Sequence, residues 1–580
     1  MLNDLYTHAG ENLFDTPWET YPRPQLKRDS YVNLNGEWLF HTGTKDFPKS
    51  YGRRIRVPFC PESLLSGLKT TVAPGSYLYY RRELTIPEGF RKDRVLLHIG
   101  AADQVAWVYV NGTMMGDHTG GYEAFTVDIT DALEEAQENT LIIAVFDDLR
   151  ATTLPYGKQS LNRGGMWYTP VSGIWQTVWL ESVPEDYIRA LDIDVTQTAA
   201  TVTVLPAMEG KILCQGKEYP LVDGKAVITP EDPHLWSPED PYLYDFVVEA
   251  GEDRVESYFA LRTVEIQKIN GIPRLCLNGQ PYFFHGLLDQ GYWSDGIYTP
   301  ASPECYKDDI LQMKKLGFNT LRKHIKVEPE EFYYQCDRLG MIVFQDMVNN
   351  GDYDFLRDTA LPTVGIQKLP DKYLNRGEKT RRAFLNGMEA TVKQLRNHPC
   401  ILYWTIFNEG WGQFESATAY RKLKNLDGSR IIDTTSGWFR HKATDVDSRH
   451  IYFTPWCTLR ASKKPLVLSE FGGYAYAEQD HMFNPEKIYG YKTCKSPEQL
   501  QAALSELYVM KVLPAVEKGL CAAILTQVSD VEDEINGLLT YDREVCKVDE
   551  EAMQQIANAL QETFRASCGQ TSSTAPSQEG

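Results

Sequence analysis

The sequence predicts a chain of two β-domains followed by an α/β domain. These are an N-terminal jelly-roll-like β-sandwich, an immunoglobulin-like β-sandwich and a C-terminal (β/α)8 barrel. Three observations predict it. The first 184 residues carry short alternating strands and almost no helical periodicity. A shorter β-like stretch follows. From about residue 268, apolar strand-like runs alternate with helical segments, eight strands in about 300 residues.

In residues 1–184, runs such as Arg94-Val95-Leu96-Leu97-His98-Ile99 and Val105-Ala106-Trp107-Val108-Tyr109-Val110 read as strands. Asn35-Gly36, Pro74-Gly75, Asn111-Gly112 and Gly120-Gly121 read as turns between them. Residues 185–267 contain Ala200 to Leu205 and Tyr242 to Val248, enough for a small immunoglobulin-like sandwich. Pro184-Glu185-Asp186 is the expected linker. In residues 268–565 the strand candidates begin at Phe283, Thr320, Met341, Ile401, Ile431, His450, Leu466 and Ala523. Helices are expected near Pro303 to Leu316, Pro329 to Leu339 and Arg376 to Arg396. An open doubly wound sheet is the alternative, but no Gly-rich phosphate fingerprint follows the first strand. Residues 566–580, rich in Ser, Thr, Gly and Gln, read as a disordered tail.

Charge excludes several partner classes. Lys and Arg total 59 against 79 Asp and Glu, a net charge of −20. That field repels phosphate polyanions and anionic membranes, so neither nucleic acid nor membrane is an expected partner. No apolar run reaches the length of a membrane span. The opening Met1-Leu2-Asn3-Asp4-Leu5-Tyr6 has no basic or apolar leader, so a cytoplasmic location is expected. The 11 Cys are dispersed without a CxxC pair, which reads as reduced thiols rather than a disulfide framework or zinc site. No metal and no cofactor is expected. The expected partner is a small-molecule or oligosaccharide substrate; the sequence leaves homo-oligomerisation open.

Barrel active sites lie at the C-terminal strand ends. Two of these ends carry a Glu directly after a buried apolar run: Ile406-Phe407-Asn408-Glu409 on the fourth and Leu468-Ser469-Glu470 on the seventh. Either Glu alone is also what a strand-end salt bridge would supply. Two carboxylates converging across one barrel mouth are what glycoside hydrolysis requires. Asn408 can donate to the hydroxyl beside the reacting carbon. Arg322, at the end of the second strand, can bind a carboxylate and keep it ionised. His324 is placed to bind a sugar hydroxyl, or is a satisfied rim histidine.

At this point the chain resembles glycoside hydrolase family two, which comprises β-galactosidases, β-glucuronidases and β-mannosidases. Arg396-Asn397-His398-Pro399 leading to Trp404-Thr405-Ile406-Phe407-Asn408-Glu409 resembles the family's acid/base signature. Asn319-Thr320-Leu321-Arg322-Lys323-His324 and Leu466-Val467-Leu468-Ser469-Glu470-Phe471-Gly472 resemble its strand-two and nucleophile segments. Leu34-Asn35-Gly36-Glu37-Trp38, Gly173-Ile174-Trp175-Gln176 and Leu235-Trp236-Ser237-Pro238 resemble words of its two sandwiches. The similarity runs from about residue 15 to 565. It implies Glu409 as general acid/base, Glu470 as nucleophile and retention of configuration through a glycosyl-enzyme.

Further candidates line the other strand ends. Asp289 and His285 belong to the first strand, Asp346 to the third and Tyr452 to the sixth, where it can reach Glu470. Trp438 can stack on a sugar, Trp411 can line an aglycone site, and Gln527 after the eighth strand can touch the sugar. Trp404 reads equally well as core. The acidic run Glu532-Asp533-Glu534 reads as a solvated loop. The Asn-x-Lys motif by which family β-glucuronidases grip the sugar carboxylate occurs nowhere in the chain. A neutral β-hexoside, galactoside before mannoside, is therefore expected. Lys323, Lys326 and Arg440 are the remaining cations for a glucuronide or galacturonide. The reading of another class is an inactive carbohydrate-binding protein on a hydrolase scaffold.

Overall fold

The computed structural model describes residues 2–134, 138–363, 365–366, 370–371, 374–375, 377–452, 456, 459 and 462–570. The first sandwich packs a six-stranded antiparallel sheet on a four-stranded one. Alternation explains the packing: in Val105–Val110, Ala106, Val108 and Val110 are buried and the residues between them are half-buried. Asn111 (φ 51°) and Gly112 (φ 80°) are both left-handed, the requirement of a tight hairpin turn into Thr113–Thr119. Trp38, Phe40, Tyr80, Leu97 and Ile143 fill the space between the sheets. The second sandwich sets the three strands Ala190–Val195, Ala200–Leu205 and Lys225–Ile228 on a four-stranded sheet. Val202, Ile212, Phe246 and Phe259 are its core.

The barrel has eight parallel strands, labelled here β1 (Phe284–Asp289), β2 (Thr320–Lys323), β3 (Ile342–Asp346), β4 (Ile401–Asn408), β5 (Ile431–Ser436), β6 (Asp447–Ile451), β7 (Leu466–Gly472) and β8 (Leu520–Thr526). Backbone ladders join them in the order β5-β4-β3-β2-β1-β8-β7-β6. Side chains tie the β5–β6 seam: Ser436 Oγ lies 3.0 Å from His450 Nε2 and 3.3 Å from Ser448 Oγ. Most strands are buried along their whole length, as both faces of a barrel wall must be. The expected helices are present as Glu304–Lys315, Glu330–Leu339 and Glu378–Leu395.

Two features differ from the sequence reading. A three-stranded sheet that includes the strand Val264–Ile269 precedes β1. In that sheet Arg274, wholly buried, donates to the Leu520 carbonyl at the start of β8 (3.1 Å). The N-terminal residues bind the barrel as well as the first sandwich: Thr7 Oγ1 donates to Asp295 (2.7 Å) and Trp18 Nε1 to the Pro300 carbonyl (2.9 Å), while the Trp18 carbonyl accepts from Asn33 Nδ2 of the sandwich (2.9 Å). Helix Glu550–Ser567 runs past residue 566, where a tail was expected to begin. The rest of that expectation, 571–580, lies outside the described residues. Among the described residues no helix is long and apolar enough to cross a membrane.

The hydrophobic core is continuous across domains. Trp175, Tyr122 and Tyr168 of the first sandwich and Trp236 of the second belong to the barrel's own apolar cluster. Trp236 Nε1 also donates to the Asp337 carbonyl (2.7 Å).

Candidate active site

The strand ends β4 and β7 bring Glu409 and Glu470 together. β4 ends at Asn408, and Glu409 follows in a left-handed conformation (φ 52°), its N–H donating to the Ser436 carbonyl at the end of β5 (2.9 Å). The chain then turns through Gly410 (φ 79°), where a Cβ would lie 2.0 Å from the Phe439 ring. β7 reaches Glu470 through register shifts against both neighbours, between Arg449 and His450 on β6 and between Leu468 and Phe471 against β8. Such irregularities re-aim a side chain that a regular strand would point elsewhere.

His450 on β6 lies between the two carboxylates. Its Nδ1 is 2.7 Å from Glu409 Oε1 and 3.5 Å from Glu470 Oε2. Ligand atoms of Glu409, His450 and Glu470 all lie within 4.8 Å of one another, the one set with cation-binding spacing among the described residues. The Arg322 Nη1–H group faces His450 Nε2 at 3.4 Å, which favours the tautomer with its proton on Nδ1.

The two carboxylates occupy different surroundings. Glu470 accepts from Arg322 Nη1 (2.9 Å) and from the Tyr452 hydroxyl (2.8 Å). Burial alone would raise its pKa. His450, Arg322, His324 and the Tyr452 hydrogen bond outweigh burial and hold it below the ordinary Glu value. Tyr452 itself stays a phenol, because burial and the adjacent Glu470 charge push its pKa well up. Glu409 is the more open of the pair, its side chain 23% exposed against 6% for Glu470.

Arg322 organises this wall. Its guanidinium holds Asp346 with two bonds (3.0 Å each) and also donates to Asn408 Oδ1 (2.9 Å). With the Asn408 oxygen so engaged, the Nδ2 hydrogens are the ones that can meet a ligand. Asp346 also binds His324 Nδ1 (2.8 Å), fixing the ring. Burial keeps His324 below the ordinary His value, and the Asp346 hydrogen bond opposes this.

The remaining expected residues divide. Trp438 meets His450 edge-on, ring centres 5.6 Å apart. Trp411 joins a rim cluster with Trp167 (4.8 Å), Tyr156 (5.5 Å) and Tyr353 (5.8 Å). Gln527 is wholly buried, donating to Asn536 Oδ1 (2.7 Å) and accepting from Gln290 (2.8 Å). His285 and Asp289 do not join the carboxylate pair. His285 packs against Phe318 and Tyr508, outside the strand wall, and Asp289 pairs with Lys323 (2.6 Å). The cause is alternation along β1, where a Cβ on Gly286 would instead meet Ile524 and Thr320 of the neighbouring strands. Trp404 is core, its Nε1 donating to Asp427 (2.9 Å). The acidic run 532–534 is buried rather than solvated. Glu532 accepts from the Thr169 N–H (2.8 Å), Asp533 from Arg163 (3.0 Å) and Glu534 from the Tyr168 hydroxyl (2.5 Å).

One residue of the site was missed in the sequence. His450 stands two residues before Tyr452, and strand alternation puts both on one side, a signal that was available.

Residues 268–546 match the model of the family 2 glycosyl hydrolase TIM barrel domain, and residues 185–262 match a second model, glycosyl hydrolases family 2. The chain belongs to glycoside hydrolase family 2. This family 2 chain is 26% identical to human β-glucuronidase over 413 residues, covering 62% of the chain and 59% of that protein. It is 25% identical to a β-galactosidase of Thermoanaerobacter pseudethanolicus over 493 residues, covering 78% of the chain and 62% of that protein. The chain thus spans less than two thirds of these two relatives. Its fold is that of the β-D-glucuronidase of Dictyoglomus thermophilum (TM-score 0.70, 18% identity, 94% and 98% of the two chains). It is also that of the β-glucuronidase of Ruminococcus gnavus (TM-score 0.72, 17% identity, 94% and 100%).

Proposed function

We propose that this family 2 chain is a retaining exo-β-glycosidase. The observation that carries the reading is the pair itself, two carboxylates with oxygens within 4.8 Å of each other around His450. A retaining mechanism needs carboxyl groups about 5 Å apart, whereas an inverting one needs room for a water between them. Glu470, kept ionised by Arg322 and Tyr452, attacks the anomeric carbon. Glu409, the more open carboxyl, gives its proton to the departing oxygen. With the charge on Glu470 consumed in the ester, Glu409 then takes a proton from the water that releases the sugar. Asn408 Nδ2 donates to the hydroxyl beside the reacting carbon.

The sugar proposed is a neutral β-hexoside, galactoside first. The other cations considered for a uronate are already paired: Lys323 with Asp289 and Glu328, Lys326 with Glu328, and Arg440 with Asp447. An unpaired buried carboxylate is costly. The second reading is a β-glucuronide, favoured by the names of the relatives above. Hydrolysis of a panel of nitrophenyl β-glycosides decides between them. The proposal expects turnover of a neutral hexoside. No turnover of any β-glycoside would favour the inactive binding protein instead.

A further inference from the structure

The first sandwich sends a loop over the barrel mouth, and its lysine is held in place from both sides. Before it, the Tyr156 N–H donates to the Asn349 carbonyl and the Tyr156 hydroxyl to the Gly351 carbonyl (3.1 and 2.8 Å). Gly157 (φ 63°) lies so close to the barrel that a Cβ would come 3.1 Å from the Ile325 carbonyl, one residue past His324. After it, Gln159 is bonded to Asp103 (2.8 Å). The Lys158 carbonyl accepts from the Tyr168 N–H (3.0 Å), and the Tyr168 hydroxyl binds Glu534 Oε2 (2.5 Å). Lys158 is thus fixed between the end of β2 and the loop after β8. Its charge acts on both His324 and Glu534.

Neither side chain is saturated. The Lys158 ammonium makes no hydrogen bond or ion pair at contact distance among the described residues, although the side chain is only half-exposed. Glu534 is 3% exposed. Each of its oxygens accepts one bond, from Tyr168 and from Asn536 Nδ2 (2.9 Å), leaving an acceptor site on each. A side chain with only donors and a carboxylate with free acceptor sites are linked through Tyr168, whose N–H binds the Lys158 carbonyl and whose hydroxyl binds Glu534.

We propose that Lys158 and Glu534 select the sugar, the ammonium donating to one ring hydroxyl and the carboxylate accepting from its neighbour. The ligand class is a neutral pyranoside with two adjacent free hydroxyls at its non-reducing end. This assignment rests on the glycosidase reading above. A uronate carboxylate placed at Lys158 would also meet the negative charges of Glu534 and Glu470. A hydroxyl pair meets a donor and an acceptor and leaves neither unpaired.

The test uses the full chain, with Lys158→Met and Glu534→Gln. Each is measured on nitrophenyl β-hexosides, on their 3-, 4- and 6-deoxy analogues and on the β-uronides. On the best neutral substrate each variant is expected to lose about 10- to 100-fold in kcat/KM, the value of one charged hydrogen bond. On the deoxy analogue that lacks the clamped hydroxyl the same variant should lose little, an outcome that general loosening of the loop would not give. Lys158→Arg should recover part of the loss. Unchanged neutral turnover in both variants overturns the proposal. So does a wild-type preference for uronides that Lys158→Met alone removes, which would make Lys158 a carboxylate clamp. No turnover of any glycoside, with no covalent labelling of Glu470 by a fluorinated glycoside, overturns the glycosidase reading instead.

Discussion

At the residue scale, the roles proposed for the two glutamates rest on their different neighbours: Glu470 is bound by Arg322 and Tyr452, and Glu409 is the more open of the two. Glu409→Gln keeps the shape of the side chain but cannot give or take a proton. Substrates with poor leaving groups should lose about 100- to 10,000-fold, while dinitrophenyl glycosides, which need little protonation, should keep most of their glycosylation rate. Equal losses in a paired kinetic comparison would contradict the acid/base role. The pH profile reports on Glu470. Its depressed pKa means the carboxylate persists below the ordinary Glu range, so the acid limb of kcat/KM should lie at low pH. Tyr452→Phe removes one hydrogen bond to the ionised form, so the limb should move to higher pH. A limb that stays in place or moves down would mean that Tyr452 does not support the Glu470 charge.

At the element scale, a glycine makes room for the site. Gly437 (φ 84°), directly after β5, would put a Cβ 2.6 Å from His450 Nδ1. Gly437→Ala should therefore push the imidazole off Glu409 and lower kcat by about 100-fold. Gly112→Ala is the control, with a similar left-handed φ (80°) but nothing within 4 Å of its Cβ. It should cost stability of about 1 kcal/mol and leave kcat alone. Equal activity in the two variants, read by steady-state kinetics, would remove His450 from the site. The eight barrel strands and the helices at Glu304–Lys315, Glu330–Leu339 and Glu378–Leu395 were legible because apolar period and length carry them. Glu409, Glu470, Asn408 and Arg322 were legible because polar residues rarely end a buried strand. His285 and Asp289 were misplaced because strand-end position was read without alternation, which decides the face. Glu534 was taken for a solvated residue because its partner, Tyr168, lies 366 positions away.

At the scale of the whole molecule, the sandwiches are part of the barrel's packing rather than appendages. Trp175 is wholly buried, donates to the Gly121 carbonyl (2.8 Å) and meets Tyr298 of the barrel with ring centres 4.9 Å apart. Trp175→Ala should destabilise the chain by about 3–5 kcal/mol in denaturant unfolding. It should also impair turnover, because the loop bearing Lys158 is anchored across the same contact. A loss confined to stability would separate the sandwich from the site. The central claim is a covalent intermediate on Glu470, formed in a pocket that both the barrel and the first sandwich build. The most direct test is mass spectrometry of the peptides after incubation with an activated 2-deoxy-2-fluoro glycoside of the preferred sugar. The expected result is one sugar per chain, bonded as an ester to Glu470, with the label turning over on addition of an acceptor. A label on Glu409, or hydrolysis that proceeds with inversion and leaves no label on either glutamate, would contradict it.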